Sequence, residues 1–186
     1  MGTFDTTVSM NLIWIVLRLL HENLKVNVSL IEWIRINFFT IMEKVEIFTD
    51  GACRGNPGPG GYGSIIRIKG KDNEISGSAK KTTNNIMELT AAVAALKQLE
   101  APSEVVLTSD SQYLVKGMTQ WINGWIKKGW VTASKQPVKN KDIWVELEQL
   151  SKIHKISWKW VRGHQGHIEN ERCDRLANIA VDKINY

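Results

Sequence analysis

One stretch constrains this chain more than any other: Val45-Glu46-Ile47-Phe48-Thr49-Asp50-Gly51, running into Ala52-Cys53-Arg54-Gly55-Asn56-Pro57-Gly58-Pro59-Gly60-Gly61. Val45, Ile47 and Thr49 alternate with Glu46 and Phe48, the period-two pattern of a strand with β-branched side chains on one face. Residues 51–61 then hold five glycines and two prolines in eleven positions. Such a segment is expected to turn repeatedly and to let another group approach its backbone. A carboxylate beside a buried strand is costly unless it is paired or bound to a cation. The alternative role for Asp50 is a turn cap, ordinary for Asp at a strand end. This stretch alone leaves both open.

Downstream, residues 63–70 read as a second strand and residues 73–78 as a weaker third, completing an antiparallel meander. Thr82-Thr83-Asn84-Asn85 then supplies helix N-cap residues. Met87, Ala91, Ala92, Ala95, Leu96 and Leu99 follow at helical spacing. Glu88 falls in the expected first turn, where the helix dipole alone would account for an acid. Glu104-Val105-Val106-Leu107-Thr108-Ser109-Asp110-Ser111-Gln112 repeats the Asp50 design: an apolar strand ends in an acid, and a helix with Tyr113, Leu114 and Met118 begins. A β-α-β succession places strand ends on one sheet edge, the usual ligand edge. If the two strands are neighbours, Asp50, Glu88 and Asp110 form a cluster, and clustered acids persist mainly around a hard cation.

Residues 117–140 are basic and aromatic, with Trp121, Trp125, Lys127, Lys128, Trp130, Lys135 and Lys139. Trp121 and Trp125 are four apart and share a helix face. Core packing accounts for at least two of the three tryptophans; the lysines interleaved with them suit a nucleic-acid platform. A helix carrying Trp144 is expected over residues 140–150, and an alternating strand over residues 156–161. Val161-Arg162-Gly163-His164-Gln165-Gly166-His167 then leads into a helix whose early part holds Asp174. His-x-x-His alone is a poor zinc site, because no second ligand pair accompanies it. A loop histidine near carboxylate-bound metal reads better as a proton shuttle. Asp174 also admits the simpler reading of an early-helix acid.

Charge adds a partner class. The net charge is +5, and residues 1–41 contribute none of it, since Arg18, Lys25 and Arg35 balance Asp5, Glu22 and Glu32. The excess on residues 42–186 suits a polyanion. Residues 11–20 are strongly apolar but shorter than a membrane span and interrupted by Arg18. They lack a basic leader and a small-residue cleavage site. Residues 1–41 are read as a peripheral or membrane-anchoring helix, a helix packed on the domain, or an over-extended reading frame before a natural start at Met42; the last is preferred. Cys53 and Cys173 match no metal-ligand spacing and leave one disulfide open.

Four motifs now stand in order: Ile47-Phe48-Thr49-Asp50-Gly51 with Gly55-Asn56-Pro57-Gly58; Thr82-Thr83-Asn84-Asn85-Ile86-Met87-Glu88-Leu89; Thr108-Ser109-Asp110-Ser111-Gln112; and Gly163-His164 through Cys173-Asp174. Over residues 42–186 the sequence closely resembles ribonuclease H of type 1, the bacterial single-domain form. The resemblance implies an α/β ribonuclease H-like fold with a five-stranded mixed β-sheet flanked by helices. It implies an endonuclease that cuts the RNA strand of RNA–DNA hybrids and leaves 5′-phosphate and 3′-hydroxyl ends. By motif position, Asp50, Glu88, Asp110 and Asp174 would be the metal-binding carboxylates and His164 the assisting histidine. Two Mg²⁺, with Mn²⁺ a substitute, suit such an all-oxygen set. Asn56, Asn84 and Gln112 would contact the hybrid's minor groove, where 2′-hydroxyls mark RNA. Lys81, Thr83 and Asn140 would hold a DNA-strand phosphate, and Trp121, Trp125, Lys127 and Lys128 would belong to the basic protrusion. Ile86 departs from relatives that carry a basic residue there. The resemblance also implies a cytoplasmic monomer with no membrane contact by the domain. A non-catalytic hybrid-binding module and a DNA-acting relative of the same fold are the competing readings.

Overall fold

The computed structural model describes residues 42–163 and 165–185. The readings of residues 1–41 and of His164 fall outside the described residues. Five strands form one sheet in the order β3-β2-β1-β4-β5. β1 (Glu43–Cys53), β2 (Gly58–Ile68) and β3 (Lys71–Thr82) make the antiparallel meander, and β4 (Ser103–Ser109) and β5 (Lys155–Trp160) pair parallel. β1 is the centre: it runs antiparallel to β2 and parallel to β4. The sheet is therefore mixed, as expected.

The glycine-rich segment differs from the expectation. β1 continues through Gly51 to Cys53 and β2 already begins at Gly58, so only residues 54–57 turn. Most of these glycines serve close packing instead. A Cβ on Gly61 would lie 2.5 Å from the Ala177 carbonyl oxygen, and one on Gly51 2.4 Å from the Glu88 backbone nitrogen. Two helices therefore rest directly on strand backbone at these points. β3 is also longer than residues 73–78. It pairs with β2 across a two-residue hairpin, Lys69-Gly70, with φ of 50° and 76°, the geometry that matches strand twist. Its polar, mostly exposed sequence befits an edge strand and carries little alternation for a reader to find.

One sheet face is covered by α1 (Asn84–Leu96) and α4 (Lys141–Ile153). Val45, Ile47, Leu89, Leu96, Val105, Leu107, Trp144 and Leu147 form this core, each at most 2% exposed. Burying each such aliphatic side chain contributes about 1.5–3 kcal/mol. The other face is covered by α5 (Ile168–Asp182), which packs Cys173 and Leu176 on Phe48 and Ile65. Ion pairs fix the same helix to the β2–β3 hairpin. Arg67 binds Asp72 through Nε at 2.6 Å and Glu169 through Nη1 at 3.0 Å, while Arg172 reaches Asp72 at 2.8 Å and also pairs with Glu74. These two guanidiniums hold the Asp72 carboxyl down at about 2.

Between β4 and α4, the chain forms α2 (Gln112–Lys116), a wide π-type turn (Gly117–Trp121) and α3 (Ile122–Lys127). Trp144, Tyr113, Trp121 and Trp125 are in ring contact, with centroids 5.2–6.2 Å apart. Trp125 and Trp130 pack against the main core, as the packing reading required of two tryptophans. Both cysteines are free thiols, so the open disulfide is not formed. Among the described residues, no helix is long and apolar enough to cross a membrane.

Candidate active site

β1 and β4 run side by side as far as the Thr49–Ser109 pair. The next residue on each strand is an acid. Asp50 stays on β1, opposite Gly63 of β2, while Asp110 leads out of β4 toward α2. Two parallel backbones thus diverge with a carboxylate on each. The Trp160 indole nitrogen donates to the Asp110 carbonyl at 3.0 Å and fixes the backbone there.

The third acid comes from α1. Thr83 caps this helix, its hydroxyl accepting from the Ile86 N–H at 3.3 Å. Glu88 is therefore its fifth residue, beyond the first turn, and the dipole explanation does not apply. Asp174 is likewise the seventh residue of α5, whose first-turn acids are Glu169 and Glu171. Both corrections follow from helices that start earlier than their apolar faces suggest. Neither acid is where a helix start would want one, and both face the same cleft. Asp50, Glu88, Asp110 and Asp174 line it together with Asn84 and Asn178, over the backbone of Gly51, Ala52 and Cys53.

Each carboxylate is held by a neutral donor. The Gly51 N–H donates to Asp50 Oδ1 at 2.7 Å. Asn84 Nδ2 donates to Glu88 Oε1 at 2.9 Å, and the Ser111 hydroxyl donates to Glu88 Oε2. The same hydroxyl accepts from the Leu114 N–H at 3.1 Å and so caps α2. Asn170 Nδ2 donates to Asp110 Oδ2 at 3.2 Å, and Asn178 Nδ2 to Asp174 Oδ1 at 2.8 Å. Among the described residues, no lysine, arginine or histidine forms an ion pair with any of the four acids.

The charge is correspondingly uncomfortable. Asp50 is 7% exposed. Burial first, then the negative charge of Asp110, pushes its carboxyl up to about 8, against the opposing Gly51 hydrogen bond. Burial also raises Glu88, with Asp110 adding to it, although Ser111 and Asn84 pull the other way. A cation among these groups would relieve both. The donor set is all oxygen, which suits Mg²⁺ or Mn²⁺ and not zinc. Among the described residues, no three such side chains converge as a ready-made coordination shell. The acids stand apart around an open cleft. That arrangement suits an ion that keeps several waters and takes one or two carboxylates plus a substrate phosphate.

The expected nucleic-acid residues spread outward from this cleft. Asn56 is exposed in the turn between β1 and β2, and Lys81 is exposed near the end of β3. Asn84 is half-buried and engaged with Glu88. Gln112 is exposed and accepts from Lys116 Nζ at 2.7 Å. Trp121 and Trp125 are half-buried in the aromatic chain, and Lys127 and Lys128 are exposed beyond them. Asn140 precedes α4 in a left-handed conformation, φ 58°, its amide donating to the Tyr113 hydroxyl at 3.4 Å. Sequence alone did not single out Ser111, Asn170 and Asn178 as partners of the acids. Asn170 and Asn178 flank Asp174 at four-residue spacing, the one signal that could have found them.

Fold and cleft define a class: an α/β protein whose mixed five-stranded sheet gathers acids where its central parallel strands diverge. The model of the RNase H family matches residues 42–182, and the chain belongs to that family. It is 63% identical over 139 residues to the ribonuclease H of Geotalea uraniireducens, covering 75% of this chain and 95% of that one. With the ribonuclease H of Hydrogenovibrio crunogenus it shares 54% over 143 residues, 77% of this chain and 99% of the other. Among solved structures, LC9-RNase H1, described as a type 1 RNase H with the type 2 active-site motif, superposes with a TM-score of 0.69 at 33% identity, covering 76% and 74% of the two chains. LC11-RNase H1, solved in complex with an RNA/DNA hybrid, superposes with a TM-score of 0.60 at 28% identity, covering 76% and 99%.

Proposed function

We propose that this chain is an endonuclease that hydrolyses the RNA strand of RNA–DNA hybrids, leaving 5′-phosphate and 3′-hydroxyl ends. The observation that carries this reading is the convergence of Asp50, Glu88, Asp110 and Asp174 on one cleft, two of them with raised carboxyl pKa. Family membership and the hybrid-bound relative support it. Members of this family generally depend on divalent metal, and here the four carboxylates would hold two Mg²⁺, with Mn²⁺ as a substitute. When bound, the ions would supply an activated water and neutralise charge on the leaving 3′ oxygen.

The chain's own residues do the rest. The carboxylates orient the scissile phosphate's surroundings, held in place by Gly51, Asn84, Ser111, Asn170 and Asn178. His164 moves a proton during the reaction, the role its motif position gives it. Asn56, Asn84 and Gln112 read the minor groove of the hybrid, where 2′-hydroxyls of one strand distinguish it from duplex DNA. Lys81, Thr83 and Asn140 take a phosphate of the DNA strand. Lys127 and Lys128 take further phosphates, with Trp121 against sugar. The enzyme acts as a cytoplasmic monomer.

End-labelled RNA–DNA hybrid, duplex RNA and duplex DNA, each incubated with Mg²⁺ and with EDTA, test the proposal. Cutting confined to the hybrid's RNA strand, dependent on Mg²⁺ and leaving 3′-hydroxyl ends, is expected. Hybrid binding without cleavage in any divalent metal would overturn the nuclease reading and favour a binding module.

A further inference from the structure

We infer that Asn170 and Asn178 are positioning residues that present one free oxygen each from Asp110 and Asp174 to the bound metal, an inference that rests on the nuclease reading. Residues 170, 174 and 178 lie four apart on α5, which spans Ile168–Asp182, so they form one stripe along the helix. Asp174 is the middle member, and each asparagine beside it serves a different acid.

Asn178 Nδ2 donates to Asp174 Oδ1 at 2.8 Å and to the Asp174 backbone carbonyl at 2.9 Å. A carboxamide nitrogen has two hydrogens, so both are engaged and the amide is fixed in orientation. Bonding to the backbone alone would be ordinary helix back-bonding. The second bond ties down one carboxylate oxygen and leaves the other for the cleft.

Asn170 makes the stronger case. It is 3% exposed, and its Nδ2 donates to Asp110 Oδ2 at 3.2 Å. Among the described residues, its own Oδ1 is buried and meets no hydrogen-bond partner. An unsatisfied buried acceptor is costly, so an apolar side chain of the same size would pack there at less expense. Rotating the amide by half a turn would set two acceptors against each other. The donor is what this position retains. Asp110 Oδ2 is enclosed from a second side as well: a Cβ on Gly163 would stand 2.4 Å from it. Oδ2 is thus turned to the protein and Oδ1 remains for a ligand. A lysine or arginine at either position would orient the carboxylate too, but would also cancel the negative charge a divalent cation needs. A neutral amide orients without competing.

The test is Mn²⁺ binding to the full-length protein without hybrid, followed by electron paramagnetic resonance, beside the Mg²⁺ dependence of cleavage. Asn170→Leu keeps the branched shape at a larger volume and removes both the donor and the orphaned oxygen. Asn178→Ala removes the second donor, and Asn178→Gln retains an amide that reaches back one helical turn. Both deletions are expected to weaken Mn²⁺ binding about 10-fold, the lower range for lost partners of a metal ligand. The Mg²⁺ needed for half-maximal cleavage should rise in parallel, the KM for hybrid at saturating Mg²⁺ should stay within about twofold, and Asn178→Gln should recover most of the loss. Folded Asn178→Ala with wild-type Mn²⁺ affinity overturns the inference, even if Asn170→Leu fails to fold. Wild type that neither binds Mn²⁺ nor cleaves overturns the nuclease reading first, and does so without any variant.

Discussion

Replacing Asp50 by Asn should make the metal-free protein more stable while destroying its activity. Asp50 is 7% exposed and its carboxyl is raised from 3.8 to about 8, burial being the largest cause and Asp110 the next. The folded chain therefore keeps this proton where the unfolded chain has lost it. Between pH 3.8 and about 8 the native state binds more protons than the unfolded state, so stability falls as pH rises through that window and is flat above it. Each pH unit within the window costs about 1.4 kcal/mol, which sets a ceiling of about 4 kcal/mol near pH 7. Relaxation of the cleft will take part of this, leaving an expected gain of about 2–4 kcal/mol for Asp50→Asn. The Asn side chain keeps an oxygen to accept from the Gly51 N–H, so the substitution removes the charge and little else. Urea denaturation in EDTA from about pH 4 to 8 measures it. The gap between variant and wild type should open as pH rises, and saturating Mg²⁺ should narrow it by stabilising wild type alone. A variant no more stable than wild type at neutral pH, or a gap independent of pH, would refute the reasoning.

Other substitutions probe the scaffold and the substrate surface. Gly63→Ala places a Cβ 2.3 Å from the Cys173 carbonyl and 2.6 Å from Leu176 Cβ, so α5 must lift off the sheet. A loss of about 2 kcal/mol or more in urea denaturation is expected. Gly163→Ala places a Cβ 2.4 Å from Asp110 Oδ2, its nearest contact, and should lower cleavage at least tenfold with a stability change below about 1 kcal/mol. Lys127→Ala with Lys128→Ala should raise the KM for hybrid and leave kcat unchanged. The slope of log KM against log salt should fall by about 0.7–0.9 for each phosphate no longer neutralised.

The centre of this molecule is legible in its sequence and the margins are not. Val45, Ile47 and Thr49 are buried as their alternation requires, because this face of β1 lies against the main core while Glu46 on the other face stays exposed. The two strand-end acids are legible because a buried carboxylate has few inexpensive explanations. β3 reads short because an edge strand needs no apolar face. The glycine run reads as turns, whereas Gly51 and Gly61 give helices room against strand backbone, a property of tertiary approach that no local pattern encodes. Glu88 and Asp174 read as lying near helix starts because apolar periodicity begins later than the hydrogen-bonded helix does. The supporting amides of Asn84, Asn170 and Asn178 stay hidden because asparagine is common on helix surfaces, and only geometry shows which acid each one meets.

The central claim is that these four carboxylates act as one metal-dependent cutting site. The most direct measurement compares wild type with Asp50→Asn, Glu88→Gln, Asp110→Asn and Asp174→Asn for binding and single-turnover cleavage of one labelled RNA–DNA hybrid in Mg²⁺. The account predicts that every variant folds and binds the hybrid while cleavage falls by orders of magnitude in each. A variant lacking any of the four that still cuts at the wild-type rate would remove that acid from the site. Full activity in all four would contradict the account.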